Sequence, residues 1–339
     1  MPASRGPSKQ RILVVRRDNI GDLVCTTPLI SALRQRFPDA WLGALVNSYN
    51  APVLQGNPDL DEVFAYRKLK HRELGDSLLA CLWARYRLIT ALRREALDYV
   101  VLAGNAARAM RLARLLRPKG VVAGTAAGGS PDVAIEAGKG HEVEITFSLA
   151  RAFGIDGPPP APSVFPGQTV VARMRSELAA RVPGASRWVG IHISARKPSQ
   201  RWPLERFAEL AREIARQGNV GMLLFWSPGP QTDPRHPGDD EKAQRLGLEL
   251  RNLPLVPVPT PNLGELIAGL SLCDRVICSD GGAMHLAAAL AKPIVCLFGQ
   301  SDAARWHPWG VPYELLQPAS RDVRDIGLGD VLAALGRLG

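Results

Sequence analysis

Short apolar runs alternate along this chain with stretches in which apolar residues recur at helical spacing. The runs typical of buried strands lie at 11–15, 41–46, 99–102 and 121–123 in the first half, and at 188–193, 220–226, 276–278 and directly after Pro293 in the second. Helical spacing follows most of them, as in Leu29, Ile30, Leu33 and Phe37. Strands that alternate with helices predict parallel sheets covered by helices.

A proline-rich segment divides the alternating pattern into two halves. Residues 157–162 read Gly-Pro-Pro-Pro-Ala-Pro and predict a linker. We therefore expect two doubly wound α/β domains, an N-terminal one at 1–160 and a C-terminal one at 161–339, facing a central cleft. A last helix is predicted near 328–337, and this division leaves it free to pack back on the N-terminal domain.

The most informative segment is 275–299, which predicts a strand, a glycine loop, a helix and a second strand. The loop reads Ser279-Asp280-Gly281-Gly282, and unpaired N–H groups at the following helix start favour an anion. The glycines would let a ligand approach the backbone closely. A second interpretation stays open, in which Asp280 only caps the helix, the glycines only turn the chain and His285 packs on a helix face.

Composition restricts the class of protein. At 339 residues with 46% hydrophobic and 22% charged residues, the chain is typical of a soluble two-domain protein. No apolar stretch approaches the about 20 residues of a membrane span, and the first ten residues contain no apolar signal segment. The five cysteines include no Cys-x-x-Cys and lie among apolar residues, which indicates free thiols in a reducing compartment. We expect a cytoplasmic protein without a metal site.

The net charge of +10 favours anionic partners. Basic residues gather at 66–94, interleaved with apolar ones: Arg67, Lys68, Lys70, His71, Arg72, Arg85, Arg87, Arg93 and Arg94. Such a basic amphipathic stretch is suited to an anionic lipid surface, and it is equally typical of an ordinary solvated helix. No DNA- or RNA-binding motif accompanies it, so nucleic acid is not an expected partner.

Reactive groups follow several predicted strands. Asp22 follows the first strand, and residues 194–203 carry three cations and two hydroxyls, enough to bind a diphosphate. Asp239 and Glu241 stand at a helix start, where they suit a ribose diol or only the helix dipole. The chain lacks the Gly-x-Gly-x-x-Gly of dehydrogenases after its first strand, a Walker loop and a Gly-x-Ser-x-Gly elbow.

Four segments, in order, resemble one known family. They are Arg11-Ile-Leu-Val-Val to Asn19-Ile-Gly-Asp22, Arg67-Lys68-Leu69-Lys70, Gln200-Arg201-Trp202-Pro203, and Asp280-Gly-Gly-Ala-Met-His-Leu-Ala-Ala-Ala289. Together they make the chain similar to the lipopolysaccharide heptosyltransferases of glycosyltransferase family 9. The loop from Gly299 to Trp309 resembles the third type of these enzymes, which adds a branch heptose to the inner core.

The resemblance implies a GT-B fold and inverting, metal-independent transfer of heptose from ADP-heptose to a hydroxyl of a lipopolysaccharide-core acceptor. Asp22 would be the general base. Acceptor-binding residues would be Arg67, Lys68 and Lys70. Donor-binding residues would be Ser194, Lys197, Arg201, Asp239, Glu241, Asp280, Gly281, Gly282, Ala283 and His285. The implied partners are a nucleotide sugar and a phosphorylated lipid-linked oligosaccharide at the cytoplasmic face of the inner membrane, with peripheral membrane contact and no cofactor.

Two departures from the family pattern keep other functions open. Gln200 stands where the family has Lys, and Gly281 stands where it has Ser or Thr. Another nucleotide sugar, a protein or small-molecule acceptor, a GT-B sugar-nucleotide epimerase and a non-catalytic nucleotide-sugar binder are the alternatives. Replacement of Asp22 by Asn would abolish transfer by an enzyme and leave a mere binder unchanged.

Overall fold

The computed structural model describes residues 9–66, 77–104, 106–125, 130–136, 138–233 and 237–339. The chain divides into two compact units, Met1–Pro162 and Ser163–Gly339. The boundary falls at the end of the proline-rich segment 157–162.

The first unit is a six-stranded parallel sheet with helices between its strands. Its elements in chain order are β1 (Arg11–Arg16), α1 (Ile20–Val24), α2 (Thr27–Arg36), β2 (Trp41–Asn47), β3 (Glu62–Tyr66), α3 (Leu78–Arg94), β4 (Tyr99–Leu102), α4 (Ala106–Leu116), β5 (Gly120–Gly124), β6 (Val133–Ile135) and α5 (Glu142–Phe147). The strand order is β3-β2-β1-β4-β5-β6. Short 3-10 helices at Ala51–Leu54 and Ser148–Phe153 complete the described part of the unit.

The second unit repeats this architecture. Its elements are α6 (Gln168–Arg181), β7 (Arg187–His192), α7 (Leu204–Ala215), β8 (Val220–Trp226), α8 (Asp240–Glu249), β9 (Leu255–Pro259), α9 (Leu263–Ser271), β10 (Arg275–Ser279), α10 (Gly282–Ala289), β11 (Ile294–Leu297), α11 (Ala303–Trp306), β12 (Tyr313–Leu316) and α12 (Leu328–Arg337). The strands are parallel, in the order β12-β11-β10-β7-β8-β9. The last helix, α12, buries Val331, Ala334 and Leu335 in the core of this second unit, so its apolar face is used within its own unit.

The apolar runs of the sequence form the inner strands of both sheets. Strands β8 and β11 are buried along their whole lengths, and β10 is buried except at its first residue. A strand covered by helices on both faces reads as a continuous apolar run, because neither of its faces meets water. The core of the first unit lies around Leu13, Leu45 and Val100, and that of the second around Ile191, Leu224 and Ile277.

The order of the strands reverses at one point in each sheet. In the first sheet the reversal lies between β1 and β4, and in the second it lies between β7 and β10. Loops that leave the carboxyl ends of such neighbouring strands diverge to opposite faces and open a crevice for ligands. The first crevice is bordered by the loop before α1, and the second by the loops after His192 and Ser279.

No helix in the described ranges is both long and apolar enough to cross a lipid bilayer.

Candidate active site

Arg16 is the centre of a buried charge network at the carboxyl end of β1. It is the last residue of that strand and is 3% exposed. Its Nη2 donates to Asp22 Oδ1 at 2.6 Å and to Glu142 Oε1 at 2.7 Å, while Nη1 donates to Thr146 Oγ1 at 3.1 Å and to the carbonyl of Ala103. One guanidinium therefore joins the loop after β1, the end of β4 and helix α5.

Asp22 has both carboxylate oxygens held by the protein. It lies in the first turn of α1, where Oδ2 accepts hydrogen bonds of 3.0 Å from both the backbone N–H and the side-chain amide of Asn19. Its other oxygen is bound by Arg16. The side chain is 14% exposed. Asp22 thus contributes to the helix cap and also presents a fixed, partly accessible carboxylate at the mouth of the crevice.

The charges of this network compensate one another. Burial works against the charge on Arg16, but Asp22 and Glu142 outweigh that effect and raise the pKa of the guanidinium above its ordinary value. Asp18 adds a further carboxylate at 3.2 Å from Arg16 Nε. A permanently charged arginine between several carboxylates keeps each of them in a defined orientation.

A second group of cations lies beside this network. The guanidinium of Arg17 stands 4.8 Å from the ring centre of Tyr66, and that of Arg85 stands 5.6 Å from the same ring. These contacts link the end of β1, the end of β3 and helix α3. The predicted acceptor-binding residues Arg67, Lys68 and Lys70 follow Tyr66 directly in the sequence and lie outside the described residues.

In the second unit, Gln200 connects two of the loops that carry predicted donor-binding residues. The amide of Gln200 is buried and donates to Asp280 Oδ2 at 2.7 Å and to Ser301 Oγ at 3.0 Å. Gln317 fixes the same loop by donating to the carbonyls of Gly299 and Ser301 at 2.7 and 3.0 Å. The loops after β7, β10 and β11 are therefore tied together around the carboxylate of Asp280.

Asp280 stands immediately before α10, and its side chain does not cap that helix. The N-cap residue is Gly281, in extended backbone, and no side chain caps this helix start. Burial raises the pKa of Asp280, while Ser301, Lys197 and Gln200 oppose that effect by favouring the carboxylate. The N-terminus of α10, which includes the predicted residues Gly282 and Ala283, leaves backbone N–H groups beside the carboxylate for an anion.

The two predicted donor-binding cations, Lys197 and Arg201, lie in the loop after β7. Lys197 is exposed and close enough to influence the Asp280 carboxylate. Arg201 is half-buried and donates from Nε to the carbonyl of Ala195 at 2.9 Å. Ser194 accepts a 2.9 Å hydrogen bond from the backbone N–H of Ser227, which joins this loop to the one after β8.

Asp239 is the buried carboxylate at the start of α8. It is 1% exposed, and its Oδ1 accepts a 2.5 Å ion-pair hydrogen bond from Lys242. Its Oδ2 is buried and has no hydrogen-bond partner among the described residues, which marks a position for a donor from a ligand. Glu241 is exposed in the first turn of the same helix.

Two histidines accompany the site and differ in surroundings. Burial lowers the pKa of His192 at the end of β7 to about 4, against the smaller opposing effects of Asp239 and of the Ser194 backbone. His285 is buried on α10 and packs edge-on against Trp306 with ring centres 5.9 Å apart. The imidazole of His192 is therefore neutral near pH 7.

The structure brings most of the predicted donor-binding residues to one edge of the second sheet. They follow the carboxyl ends of β7, β8 and β10, which are adjacent strands. The sequence pattern does not predict the contact between Arg16 and Glu142, which lie 126 positions apart, or the contact of Gln200 with Asp280. Among the described residues, no three His, Cys, Asp or Glu side chains form a group that could hold a metal ion.

Comparison with known proteins places the chain in a family. Residues 85–322 match the family described as glycosyltransferase family 9 (heptosyltransferase). Lipopolysaccharide heptosyltransferase 3 of Escherichia coli is 25% identical over 94% of this chain and 96% of its own length. Lipooligosaccharide heptosyltransferase 2 of Haemophilus influenzae is 25% identical over 85% of this chain and 83% of its own.

Solved structures share the fold. A family 9 glycosyl transferase from Veillonella parvula has a TM-score of 0.80 at 18% identity, with 97% of each chain covered. Escherichia coli heptosyltransferase WaaC with ADP has a TM-score of 0.79 at 19% identity, covering 97% of this chain and all of that one (100%). Since the family match spans more than half of the chain and both sheets agree with these folds, this chain is a GT-B glycosyltransferase and belongs to glycosyltransferase family 9.

Proposed function

We propose that this chain is an inverting heptosyltransferase that moves heptose from ADP-heptose to a hydroxyl of a phosphorylated, lipid-linked lipopolysaccharide-core acceptor at the cytoplasmic face of the inner membrane. The observation that carries the proposal is the fixed carboxylate of Asp22, held by Arg16 and Asn19 at the switch point of the first sheet. The relatives of similar length, which are named as lipopolysaccharide heptosyltransferases, support the acceptor class.

In this proposal the first unit activates the acceptor. A carboxylate oxygen has two lone pairs, so Asp22 can accept a proton from a sugar hydroxyl while it keeps its bonds to Arg16 and Asn19. The acceptor oxygen then forms a bond to the anomeric carbon of the donor. General-base assistance of this kind contributes roughly 10²- to 10⁴-fold to the rate.

The second unit holds the donor and stabilises the leaving group. As the bond between the anomeric carbon and the diphosphate oxygen breaks, its electron pair stays on ADP and adds negative charge there. In this proposal Lys197, Arg201 and the N–H groups at the start of α10 stabilise that charge. We propose that this arrangement replaces a metal ion in the reaction. The neighbouring structure of heptosyltransferase WaaC with ADP-2-deoxy-2-fluoro heptose, at 19% identity, gives the fold in which a donor of this type binds.

The buried carboxylate of Asp239 fits the ribose better than Glu241 does. Its Oδ2 is enclosed and lacks a partner among the residues described, whereas Glu241 is exposed. A ribose hydroxyl would supply the missing donor. We therefore assign ribose binding to Asp239.

Gln200 has a different task from the lysine that the family pattern has at this position. Its amide is engaged by Asp280 and Ser301, so we assign it to orient Asp280 toward the donor sugar. Lys197, which is exposed and electrostatically coupled to Asp280, supplies the cation for the diphosphate.

His285 is buried against Trp306, and we assign it to support the α10 start rather than to contact the phosphate. The relative that covers most of this chain's length among those reported above, lipopolysaccharide heptosyltransferase 3 of Escherichia coli, is of the third type, so we propose transfer of a branch heptose to the inner core.

Calorimetric titration with ADP, UDP, GDP and ADP-heptose, in EDTA, tests the donor assignment. We expect selective binding of ADP and ADP-heptose, and at least about tenfold weaker binding of ADP by Lys197→Met, because a charged hydrogen bond to phosphate is lost. Arg206→Met, in an exposed pair with Glu209 on α7, is the matched control. Preference for UDP or GDP would overturn the donor, and no nucleotide binding would overturn the proposal.

A further inference from the structure

Helix α3 exposes an apolar stripe on the surface of the first unit. Leu79, Leu82, Trp83 and Tyr86 are 77%, 46%, 62% and 59% exposed. They occupy positions i, i+3, i+4 and i+7, which lie on one face of a helix. Trp83 and Tyr86 stack on each other, with ring centres 5.5 Å apart. Four large exposed apolar residues on one helical face form a patch of the kind that binds a partner.

The opposite side of α3 already has its partners. Leu92 is fully buried in the core of the first unit, and Leu88 and Ile89 pack against that core. Arg93 ties the end of the helix to α4 by donating to the carbonyl of Leu115 at 2.6 Å. The exposed stripe is therefore additional to the face that folding requires.

The charge of α3 identifies the kind of partner. Within Leu78–Arg94 the helix carries Arg85, Arg87, Arg93 and Arg94 and no acidic residue. A helix with an exposed aliphatic and aromatic stripe flanked by arginines is the arrangement that lies in the headgroup region of an anionic bilayer. Trp and Tyr favour that region because their rings are apolar and their N–H and O–H groups can stay hydrated.

The helix is also connected to the candidate base. Arg85 of α3 and Arg17 at the end of β1 contact the same ring of Tyr66. Arg17 follows Arg16 directly, and Arg16 holds Asp22. A surface bound by α3 would therefore lie beside the loop that presents Asp22.

We propose that the exposed face of α3, defined by Leu79, Leu82, Trp83 and Tyr86 with Arg87, docks the enzyme on an anionic phospholipid bilayer. The proposal rests on the proposed function, since a lipid-linked acceptor is what would make a bilayer the relevant surface. The two leucines insert into the bilayer, the two aromatic rings lie at the level of the headgroups, and Arg87 pairs with lipid phosphate.

The test uses the tryptophan fluorescence of the full chain. Of the seven tryptophans, Trp83 is the one that is more than half exposed, so a change in the total emission on vesicle binding should arise chiefly from Trp83. Vesicles made of equal parts of phosphatidylcholine and phosphatidylglycerol should shift the emission to the blue and carry the protein with them on sedimentation. Pure phosphatidylcholine vesicles should bind it at least about tenfold more weakly.

Matched variants assign the effect to this face. Leu79→Ser with Trp83→Ser should lower sedimentation with anionic vesicles at least about tenfold, and Arg87→Glu should lower it severalfold. Leu248→Ser, which removes a leucine 63% exposed on α8, and Arg251→Glu should bind as the wild type does. Circular dichroism and the thermal midpoint show whether each variant is folded.

The outcomes separate this proposal from the proposed function. Transfer to a delipidated core oligosaccharide should be unchanged in the α3 variants, whereas vesicle binding should be lost. Wild type that binds anionic vesicles but transfers no heptose would contradict the proposed function alone. Equal vesicle binding by wild type and the folded α3 variants, or no binding by either, would overturn the α3 proposal. Dimerisation that depends on Trp83 would overturn it in favour of a second copy.

Discussion

Arg16 and Asp22 form a partly buried ion pair, with Nη2 and Oδ1 2.6 Å apart. The side chain of Arg16 is 4% exposed and that of Asp22 is 14% exposed. The same nitrogen binds Glu142, which comes from a helix more than a hundred positions later in the chain. The candidate base is therefore oriented by a charge that also holds the first unit together.

Removal of this charge should damage folding. Arg16→Met would remove the guanidinium that the carboxylates of Glu142 and Asp22 share as a counter-charge. Breaking one side of a buried ion pair costs about 3–5 kcal/mol, so we expect a loss of this size in the free energy of unfolding by denaturant. Arg114→Met removes an exposed partner of Asp132 in the same unit and should cost less than about 1 kcal/mol. Similar losses in the two variants would contradict the central place of Arg16.

Gln200 should act through the ionisation of Asp280. Burial raises the pKa of Asp280, and the hydrogen bond from Gln200 opposes that rise. Gln200→Ala should therefore raise this pKa further, so that the carboxylate is protonated at a higher pH. As the solution is acidified, the affinity for ADP-heptose should begin to fall at a higher pH in the variant than in the wild type. Titrations with ADP-heptose at a series of acidic pH values measure this.

Gln317→Ala is the matched control for Gln200. It removes hydrogen bonds to the carbonyls of Gly299 and Ser301 in the same loop and leaves the Asp280 carboxylate untouched. The affinity of Gln317→Ala for ADP-heptose should fall over the same acidic pH range as that of the wild type. A shift of this pH range in Gln317→Ala, with no shift in Gln200→Ala, would contradict the role assigned to Gln200.

We expect Gly281 to tolerate replacement by serine, one of the hydroxyl residues that the family pattern has at this position. Its φ of 161° is extended backbone, and a Cβ added there would meet nothing within 4 Å. Gly281→Ser should therefore leave the free energy of unfolding within about 0.5 kcal/mol. One added hydrogen bond to the donor should strengthen ADP-heptose binding by about two- to tenfold. Calorimetry measures the second effect.

Gly299→Ser gives the contrasting result. A Cβ at Gly299 would lie 2.3 Å from the backbone oxygen of Ser199, so the loop after β11 would have to move. We expect this variant to unfold at a lower denaturant concentration and to bind the donor more weakly. A stable Gly299→Ser together with an unstable Gly281→Ser would contradict the described geometry of the two loops.

His192 should make the stability of the second unit depend on pH. Its pKa is about 4 in the folded protein against 6.5 in the unfolded chain. The unfolded state therefore binds more protons between these values, and stability should fall as the pH is lowered through this window, by up to about 1.4 kcal/mol per pH unit. His192→Gln should flatten this slope in denaturant titrations. His307→Gln, in a stack with Trp309 and Tyr313, should retain it.

Whether the sequence pattern predicts a strand depends on the position of that strand in its sheet. Among the strands of the described residues, the apolar runs predicted the eight inner ones. The four that the sequence pattern missed, β3, β6, β9 and β12, are the two edges of each sheet. Strand β6 has two exposed residues out of three, and β9 alternates and contains prolines. An edge strand meets water and pairs on one side only, so it lacks the continuous apolar run on which the prediction depends.

The candidate site divides in a similar way. Residues that follow apolar runs, such as Asp22 and Asp280, were found because the carboxyl ends of parallel strands gather ligand-binding groups. Arg16 and Glu142 were missed, and so was helix α5, because their pairing depends on how distant elements meet. Gln200 was noticed only as a departure from a family pattern. Its two hydrogen bonds, to Asp280 and Ser301, span 80 and 101 positions of sequence, so no local pattern predicts them.

The most direct test of the central claim is heptosyl transfer itself, measured as ADP release and acceptor mass with ADP-heptose, a lipopolysaccharide-core acceptor and EDTA. The wild type should transfer one heptose, and Asp22→Asn should lower kcat by about 10²- to 10⁴-fold with ADP binding unchanged. Asp18→Asn, which alters a neighbouring carboxylate that also contacts Arg16, should lose less than about tenfold. Transfer by Asp22→Asn at the wild-type rate, or no transfer by a wild type that binds the donor, would contradict the account.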